Sequence, residues 1–144
     1  MVLKRLKKFF SQGKESAPPV GSLGCILTIE DDPTQRMMIQ RTLEKKGYRV
    51  LAAEDGRQGI EIAHEYTPDL IILDVVMPGI NGEEVCKILK NDIRTQDIPV
   101  LFLTSRSDPA DVIEHFDLGA EIHLTKPINA KELISQVEIT LNRK

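Results

Sequence analysis

The sequence has little of what several protein classes require. Its 144 residues include no tryptophan and two cysteines, too few for a disulfide framework and in keeping with a reducing cytoplasm. The longest uncharged apolar run near the middle of the chain covers residues 70–73, whereas a membrane-spanning helix needs about 20 residues. Neither a glycine-rich dinucleotide loop nor a Walker loop is present. These absences exclude a membrane-spanning protein and a disulfide scaffold, and they argue against a flavin or nucleotide carrier.

What is present is typical of one globular domain. The chain has 41% hydrophobic and 28% charged residues, and its length is that of a single domain. The net charge of −3 is unevenly distributed, because residues 1–24 hold five basic side chains and one acidic one, a charge of +4, which leaves −7 for the rest. The acidic body argues against direct binding of nucleic acid, which requires clustered Lys and Arg.

A change in composition near residue 24 separates a leader from the body. Residues 16–24 are rich in Pro, Gly and Ser, so we expect residues 1–24 to be a flexible basic leader and linker, and residues 25–144 to be the folded domain. Leu3, Leu6 and Phe10 recur at helical spacing between basic residues. Two interpretations of residues 1–10 stay open: a disordered tail, or a weak contact with anionic lipid or with a partner.

From residue 25 onward, short apolar runs alternate with helical patterns. Strands that are apolar throughout are typical of parallel sheets, so the alternation predicts a doubly wound α/β domain with five strands. Asp32, Asp108 and Asn129 are predicted helix N-caps, and Gly47 and Gly119 are predicted to end helices. The predicted strands are residues 25–29, 48–53, 70–74, 98–104 and 122–125. The predicted helices are residues 33–46, 57–65, 82–90 and 109–118, with a last helix after Asn129.

Polar residues stand at the ends of four predicted strands, and the carboxyl ends of parallel strands meet at the edge where such sheets bind ligands. Clustered carboxylates repel one another, so an ionised cluster needs a cation, and ligands that are all oxygen favour Mg²⁺. An aspartate nucleophile with Mg²⁺, a lysine and a threonine has the parts needed for phosphoryl transfer to the aspartate. Taken singly, each carboxylate is equally well interpreted as a solvated loop residue. The residues concerned are Glu30, Asp31, Asp32, Asp74, Thr104 and Lys126.

Four motifs built on these residues resemble the receiver domain of two-component response regulators. The resemblance runs from residue 25 to the end of the chain and implies a flavodoxin-like α/β fold with strand order 2-1-3-4-5. We expect no output domain after Lys144, so that the resemblance is to a single-domain, chemotaxis-type receiver. The motifs are Ile29-Glu30-Asp31-Asp32-Pro33, Leu73-Asp74-Val75-Val76-Met77-Pro78-Gly79 with Asn81-Gly82, Leu103-Thr104-Ser105, and Thr125-Lys126-Pro127.

The resemblance implies a metal site of four residues. Asp31 and Asp74 would bind Mg²⁺ directly, Glu30 would hold it through a water molecule, and the backbone carbonyl of Val76 would be a further ligand. The first residue of the acidic pair is usually an aspartate in this family, and here it is Glu30. The side chain of Glu is longer by one methylene group, which could shift the water shell without abolishing metal binding.

The resemblance also assigns the phosphoryl chemistry. Asp74 would accept the phosphoryl group, Thr104 would bond one of its oxygens, and Lys126 would pair with the modified aspartate. The Lys126-Pro127 peptide bond would be cis. His123 occupies the position of a switching aromatic residue, and two interpretations stay open: a ring that swings between two positions, or a partly exposed strand histidine without that role.

The expected function is that of a regulatory domain that assists its own phosphorylation and dephosphorylation, and not of an enzyme with a separate substrate. The expected partners are a sensor histidine kinase or phosphotransfer protein, in the cytoplasm, and an unidentified downstream protein or a second copy of the chain. The face formed by the fourth helix, the fifth strand and the last helix, with His115, His123 and Glu132, would meet such partners.

Two alternative functions use related features of the sequence. A haloacid-dehalogenase-like phosphatase would need a second aspartate two residues after the nucleophile, where Val76 stands. The alternative that stays open is a receiver-like scaffold that acts without phosphorylation. The intact Asp74, Asp31, Thr104 and Lys126 argue against it, and only Glu30 favours it.

Overall fold

A computed structural model of the protein describes residues 23–105 and 109–142. In these residues five parallel strands form one sheet in the order 2-1-3-4-5, which confirms the predicted flavodoxin-like fold. The strands are β1 (Cys25–Ile29), β2 (Arg49–Ala53), β3 (Leu70–Asp74), β4 (Val100–Thr104) and β5 (Ile122–Thr125). The helices are α1 (Pro33–Lys45), α2 (Gly56–Tyr66), α3 (Gly82–Lys90), α4 (Pro109–Asp117) and α5 (Ala130–Leu141).

Two apolar layers cover the two faces of the sheet, because successive side chains of a strand point to opposite faces. Leu27 and Ile71 belong to the layer that includes buried residues of α2 and α3. Their neighbours Ile26 and Ile72 belong to the layer that includes buried residues of α1 and α5. The fully apolar strands predicted from the sequence are therefore buried on both faces, which is the reason for their composition.

Several predicted helix ends are confirmed by their backbone and cap geometry. The Asp32 carboxylate accepts a hydrogen bond from the Gln35 amide at 2.8 Å, and the Asn129 side chain accepts one from the Glu132 amide at 3.0 Å. Gly119 follows α4 with φ +103°, a conformation that glycine adopts without strain. The predicted cap at Asp108 lies outside the described residues.

Two strands begin later than predicted, and hydrogen bonding explains both differences. The Tyr48 amide donates to the Leu43 carbonyl at 3.2 Å, so Tyr48 completes the turn that ends α1 around Gly47, and β2 begins at Arg49. The Ile98 amide donates to the Thr95 carbonyl at 3.0 Å, so Ile98 belongs to the loop that precedes β4.

The expectation that His115 lies on the partner-binding face is wrong. Its side chain is fully buried, with Nε2 2.7 Å from Oε2 of Glu83 and the ring 4.5 Å from that of Phe102. A buried imidazole needs a hydrogen-bond partner, and Glu83 on α3 supplies it. His115 thus braces α4 against α3 and β4, and the outer face of α4 presents Ile113 and Phe116 instead, which are 62% and 47% exposed.

Gly82 is the point at which α3 meets the end of β3. Its amide donates to the Val75 carbonyl at 2.9 Å, and a Cβ atom at this position would lie 2.7 Å from the Cα atom of Val75. Because the obstacle is backbone, it cannot move aside as a flexible side chain would. The Asn81-Gly82 pair of the second motif therefore combines a helix cap with a close approach that only glycine permits.

We expect Gly82→Ala to lower the free energy of unfolding by roughly 1–3 kcal/mol through overpacking, although alanine is favoured over glycine within helices. Urea unfolding monitored by circular dichroism measures the change. Gly79→Asn is the control, because Gly79 has φ +75° with open space around the position that a Cβ atom would take, and asparagine tolerates that conformation. An unchanged midpoint in Gly82→Ala would contradict the close approach.

Candidate functional site

The sheet brings the predicted site residues together at one edge. Ile29 pairs with Leu73 and Thr104 pairs with Thr125 in the parallel register, so the residues at the carboxyl ends of β1, β3, β4 and β5 are neighbours. Glu30 directly follows β1 and Asp74 ends β3. The residues that form the site are thus separated widely in sequence and are brought together by the order of the strands.

Lys126 joins the two buried carboxylates. Its Nζ atom lies 3.3 Å from Oε1 of Glu30 and 3.4 Å from Oδ1 of Asp74. Glu30 is 1% exposed and Asp74 4% exposed, so both charges sit where water screens them poorly. One lysine thus faces two carboxylates, which leaves an excess of negative charge when both are ionised.

The protonation of the two carboxylates depends first on their burial and then on the charges around them. Burial raises the pKa of Glu30 to about 7, the charge of Asp74 contributes to the rise, and the Asp32 amide and Lys126 oppose it. Burial also raises the pKa of Asp74, against the opposing charge of Lys126. Without a cation, the pair therefore tends to retain a proton close to neutral pH.

The donor atoms fit a hard divalent cation. Glu30, Asp31 and Asp74 each offer one carboxylate oxygen, and these three oxygens lie within 4.8 Å of one another. Oxygen ligands of this kind suit Mg²⁺, which binds one or two carboxylates and retains several water molecules. The chemistry of this donor set, with three carboxylate oxygens close together, therefore fits the predicted metal.

Val76 and Thr104 border Asp74, the predicted phosphoryl acceptor. The Val76 amide donates to Oδ1 of Asp74 at 3.3 Å, while its side chain is largely exposed. Thr104 is fully buried at the end of β4, and its carbonyl accepts from the Lys126 amide at 2.7 Å. The Lys126-Pro127 bond is cis, as predicted. The roles predicted for the Val76 carbonyl and the Thr104 hydroxyl stay predictions.

His123 is half-buried on β5 and stacks on His115, with the ring centroids 5.0 Å apart. Burial and the neighbouring His115 lower the pKa of His123, and Asp111 opposes this. The lowered pKa favours the neutral ring, which packs against His115 as an aromatic group would.

Two contacts near the site were missed by sequence reasoning. The Nη1 atom of Arg36 donates to the Glu30 carbonyl at 2.8 Å, and His115 pairs with Glu83, next to Gly82. A basic residue one turn into the helix that starts at the acidic loop is a signal that could have indicated the first contact. The second joins residues 32 positions apart, and no local pattern indicates it.

The described helices have at most 13 residues, and none is long and apolar enough to cross a bilayer.

Comparison with known proteins places the chain in a family. A family model for the response regulator receiver domain matches residues 26–138. The DNA-binding dual master transcriptional regulator RpaA of Synechocystis is 43% identical over 118 residues, which are 82% of this chain and 49% of that protein. The chain thus spans about half the length of that relative. Protein PilH of Pseudomonas aeruginosa is 35% identical over 116 residues, 81% of this chain and 96% of that protein.

Solved structures agree with the sequence relatives. The chemotaxis protein CheY4 of Vibrio cholerae superposes with a TM-score of 0.80 at 32% identity, covering 83% of this chain and all of that one. The receiver domain of a signal transduction histidine kinase from Syntrophus aciditrophicus gives a TM-score of 0.76 at 39% identity, covering 83% of this chain and 90% of that one. The chain therefore belongs to the receiver domain family of two-component response regulators.

Proposed function

We propose that Asp74 accepts a phosphoryl group from a sensor histidine kinase or phosphotransfer protein, and that this modification switches a protein-interaction surface. The observation that carries the proposal is the position of Lys126, whose Nζ atom is within 3.4 Å of both buried carboxylates at the strand ends of a receiver fold. A partly buried lysine between the proposed acceptor carboxylate and a second acid is suited to hold a transferred phosphoryl group in place.

In the proposed reaction a carboxylate oxygen of ionised Asp74 attacks phosphorus, and the bond between phosphorus and the donor breaks. The Val76 amide, which donates to Oδ1 of Asp74 at 3.3 Å, orients the carboxylate. Lys126 neutralises part of the charge that develops on the transferred group, and Thr104 donates its hydroxyl to a phosphoryl oxygen. The burial of Asp74 limits access by water.

The proposed metal ligands are Asp31, Asp74, the carbonyl of Val76 and, through water, Glu30. Mg²⁺ held there would neutralise negative charge on the transferred group and on the acids around it. Because burial raises the pKa of Glu30 to about 7, a bound cation would compete with a proton for this carboxylate near neutral pH.

The proposed switched surface is the outer face of α4, β5 and α5. Ile113 and Phe116 are exposed there, and His123 lies between this face and the core. Exposed apolar side chains on one helix are typical of a surface that binds another protein. We propose an unidentified downstream protein as its partner, in the cytoplasm; a second copy of the chain is the other candidate. Of the predicted basic leader and linker, residues 1–24, residues 1–22 lie outside the described residues.

Asp74→Asn should abolish phosphorylation. Intact mass after incubation with acetyl phosphate should show a gain of one phosphoryl group in the wild type with Mg²⁺, and no gain without Mg²⁺ or in the variant. Asp97→Asn is the matched control, because Asp97 is exposed in the loop before β4, and it should gain the group as the wild type does.

A phosphoryl group on Asp74→Asn would contradict the proposed acceptor. If the wild type gains nothing, binding of beryllofluoride with Mg²⁺ is measured, because a short-lived phosphoaspartate escapes detection by mass. Failure of both assays would favour the scaffold that acts without phosphorylation.

The stability of the metal-free protein should fall as the pH rises. The pKa of Glu30 is about 7 in the folded protein against an ordinary value of 4.5, so the folded state keeps a proton that the unfolded chain releases. This stabilisation is fully present below about pH 4.5 and is lost as the pH rises through about 7. Urea unfolding in EDTA across this range measures the slope.

Glu30→Gln is the comparison, since glutamine mimics the protonated acid and cannot ionise. Its unfolding free energy should decrease less over the same range than that of the wild type. Equal slopes in the two proteins would contradict the raised pKa of Glu30.

Lys126→Ala should still bind Mg²⁺, because removal of a positive charge favours a bound cation. The variant should fail to transmit the modification to the proposed surface. Amide resonances of β5 and α5 are compared before and after addition of beryllofluoride and Mg²⁺. Lys131→Ala, at an exposed position of α5, is the control and should respond as the wild type. A wild-type response in Lys126→Ala would remove Lys126 from the mechanism.

A further inference from the structure

The guanidinium group of Arg36 hydrogen-bonds the backbone of the acidic loop that follows β1, residues 30–32. The Nη1 atom of Arg36 donates to the carbonyl oxygen of Glu30 at 2.8 Å and to that of Asp31 at 3.3 Å. Within the part of the chain that the structure describes, both hydrogen bonds of this guanidinium go to backbone carbonyls and none to a carboxylate. The contact therefore restrains the conformation of the backbone and does not form an ion pair with the acidic side chains.

The start of α1 places Arg36 over this loop. The Asp32 side chain caps the helix at the Gln35 amide, and the Arg36 amide donates to the Asp32 carbonyl at 2.9 Å. Arg36 thus lies at the end of the first turn of the helix that begins at the loop, and its side chain reaches back to the residues just before the cap. Two sets of hydrogen bonds therefore fix the loop to the start of α1: the Asp32 cap and those of the Arg36 side chain.

The peptide groups held by Arg36 belong to two acids of the carboxylate cluster. The carbonyls of Glu30 and Asp31 belong to the peptide planes on either side of Asp31, so fixing them fixes the orientation of both planes. It also restricts the directions of the Cα–Cβ bonds of the two acids. Ion choice depends on such restriction, because Mg²⁺ demands near-ideal octahedral geometry whereas Ca²⁺ accepts variable geometry and ligand number.

We propose that Arg36 is a positioning residue that holds Glu30 and Asp31 in the arrangement that Mg²⁺ requires, and so sets the preference of the site for Mg²⁺ over Ca²⁺. This inference rests on the proposed metal site. Arg36 is assigned no contact with the metal or with the transferred group, and it acts through the backbone of the two acids.

The charge of Arg36 and its proposed positioning role predict opposite changes in the affinity of the site for Mg²⁺ when Arg36 is removed. A positive charge beside a cation site weakens binding, so loss of the guanidinium by itself should tighten the binding of both ions. Loss of the two hydrogen bonds should weaken the binding of Mg²⁺, and that of Ca²⁺ much less. The direction of the change and its dependence on the ion therefore separate the two explanations.

The experiment is calorimetric titration of the intact 144-residue chain with MgCl₂ and, separately, with CaCl₂. Arg36→Met removes the charge and the donors while keeping an unbranched side chain. Arg41→Met is the matched control, because Arg41 is exposed on the same helix and the substitution is the same. Urea unfolding in EDTA shows whether each variant is folded, and Arg36→Lys replaces Arg36→Met if the latter is not.

We expect the Kd for Mg²⁺ to rise roughly tenfold or more in Arg36→Met, the range seen when groups that orient metal ligands are removed. The Kd for Ca²⁺ should rise clearly less, so that the ratio of the two constants shifts towards Ca²⁺, and Arg41→Met should match the wild type. Arg36→Lys, which keeps one donor group, should show a smaller shift in the same direction.

Unchanged or tighter binding of Mg²⁺ in Arg36→Met would overturn the inference, and so would an equal loss of affinity for both ions, which is the result of general loosening. These outcomes leave the proposed function intact, because the wild type still binds Mg²⁺. A wild-type protein that binds no Mg²⁺ would overturn the proposed metal site together with this inference.

Discussion

The site depends on a single electrostatic constraint: two buried carboxylates share one lysine. Glu30 and Lys126 are 96 residues apart in sequence, and Asp74 lies between them, yet Nζ of Lys126 is within 3.4 Å of an oxygen of each acid. Burial removes the water that would otherwise screen the two negative charges. The excess charge must be met by a proton or by a cation, and this competition is the physical basis of the metal dependence proposed for phosphorylation of Asp74.

The fold keeps the acids from relieving their repulsion by moving apart. β1 and β3 are adjacent in the middle of the sheet, so the residues that follow them have fixed starting points. Each of the two loops then enters a capped helix within a few residues, at Asp32 and at Asn81. Gly82 allows α3 to approach the Val75 backbone closely, and Arg36 ties α1 to the acidic loop. The cost of gathering the carboxylates is thus met by hydrogen bonds and packing outside the cluster.

Contacts also connect the loop that follows Asp74, the proposed acceptor, with the proposed interaction surface. Gly82 contacts the Val75 backbone, the adjacent Glu83 pairs with His115, and His115 stacks on His123. Spatial continuity is not itself coupling, which requires an element with two arrangements. Along this path the Nδ1 atom of His115 is buried without a hydrogen-bond partner among the described residues, so the ring is held by its contact with Glu83 and by its packing on Phe102 and His123.

The parts of the structure that follow from local patterns could be predicted, and those that depend on distant partners could not. Apolar runs and helix caps located the strands and helices, and the strand ends located Glu30, Asp74 and Lys126. Hydrophobicity alone would turn Ile113 and Phe116 of α4 inward and leave His115 outside, whereas the structure does the opposite. A buried imidazole is unfavourable unless it is paired. Glu83 on α3, 32 residues away in sequence, is the partner of His115. The orientation of α4 about its axis therefore depends on a residue outside this helix and could not be predicted from the sequence of the helix alone.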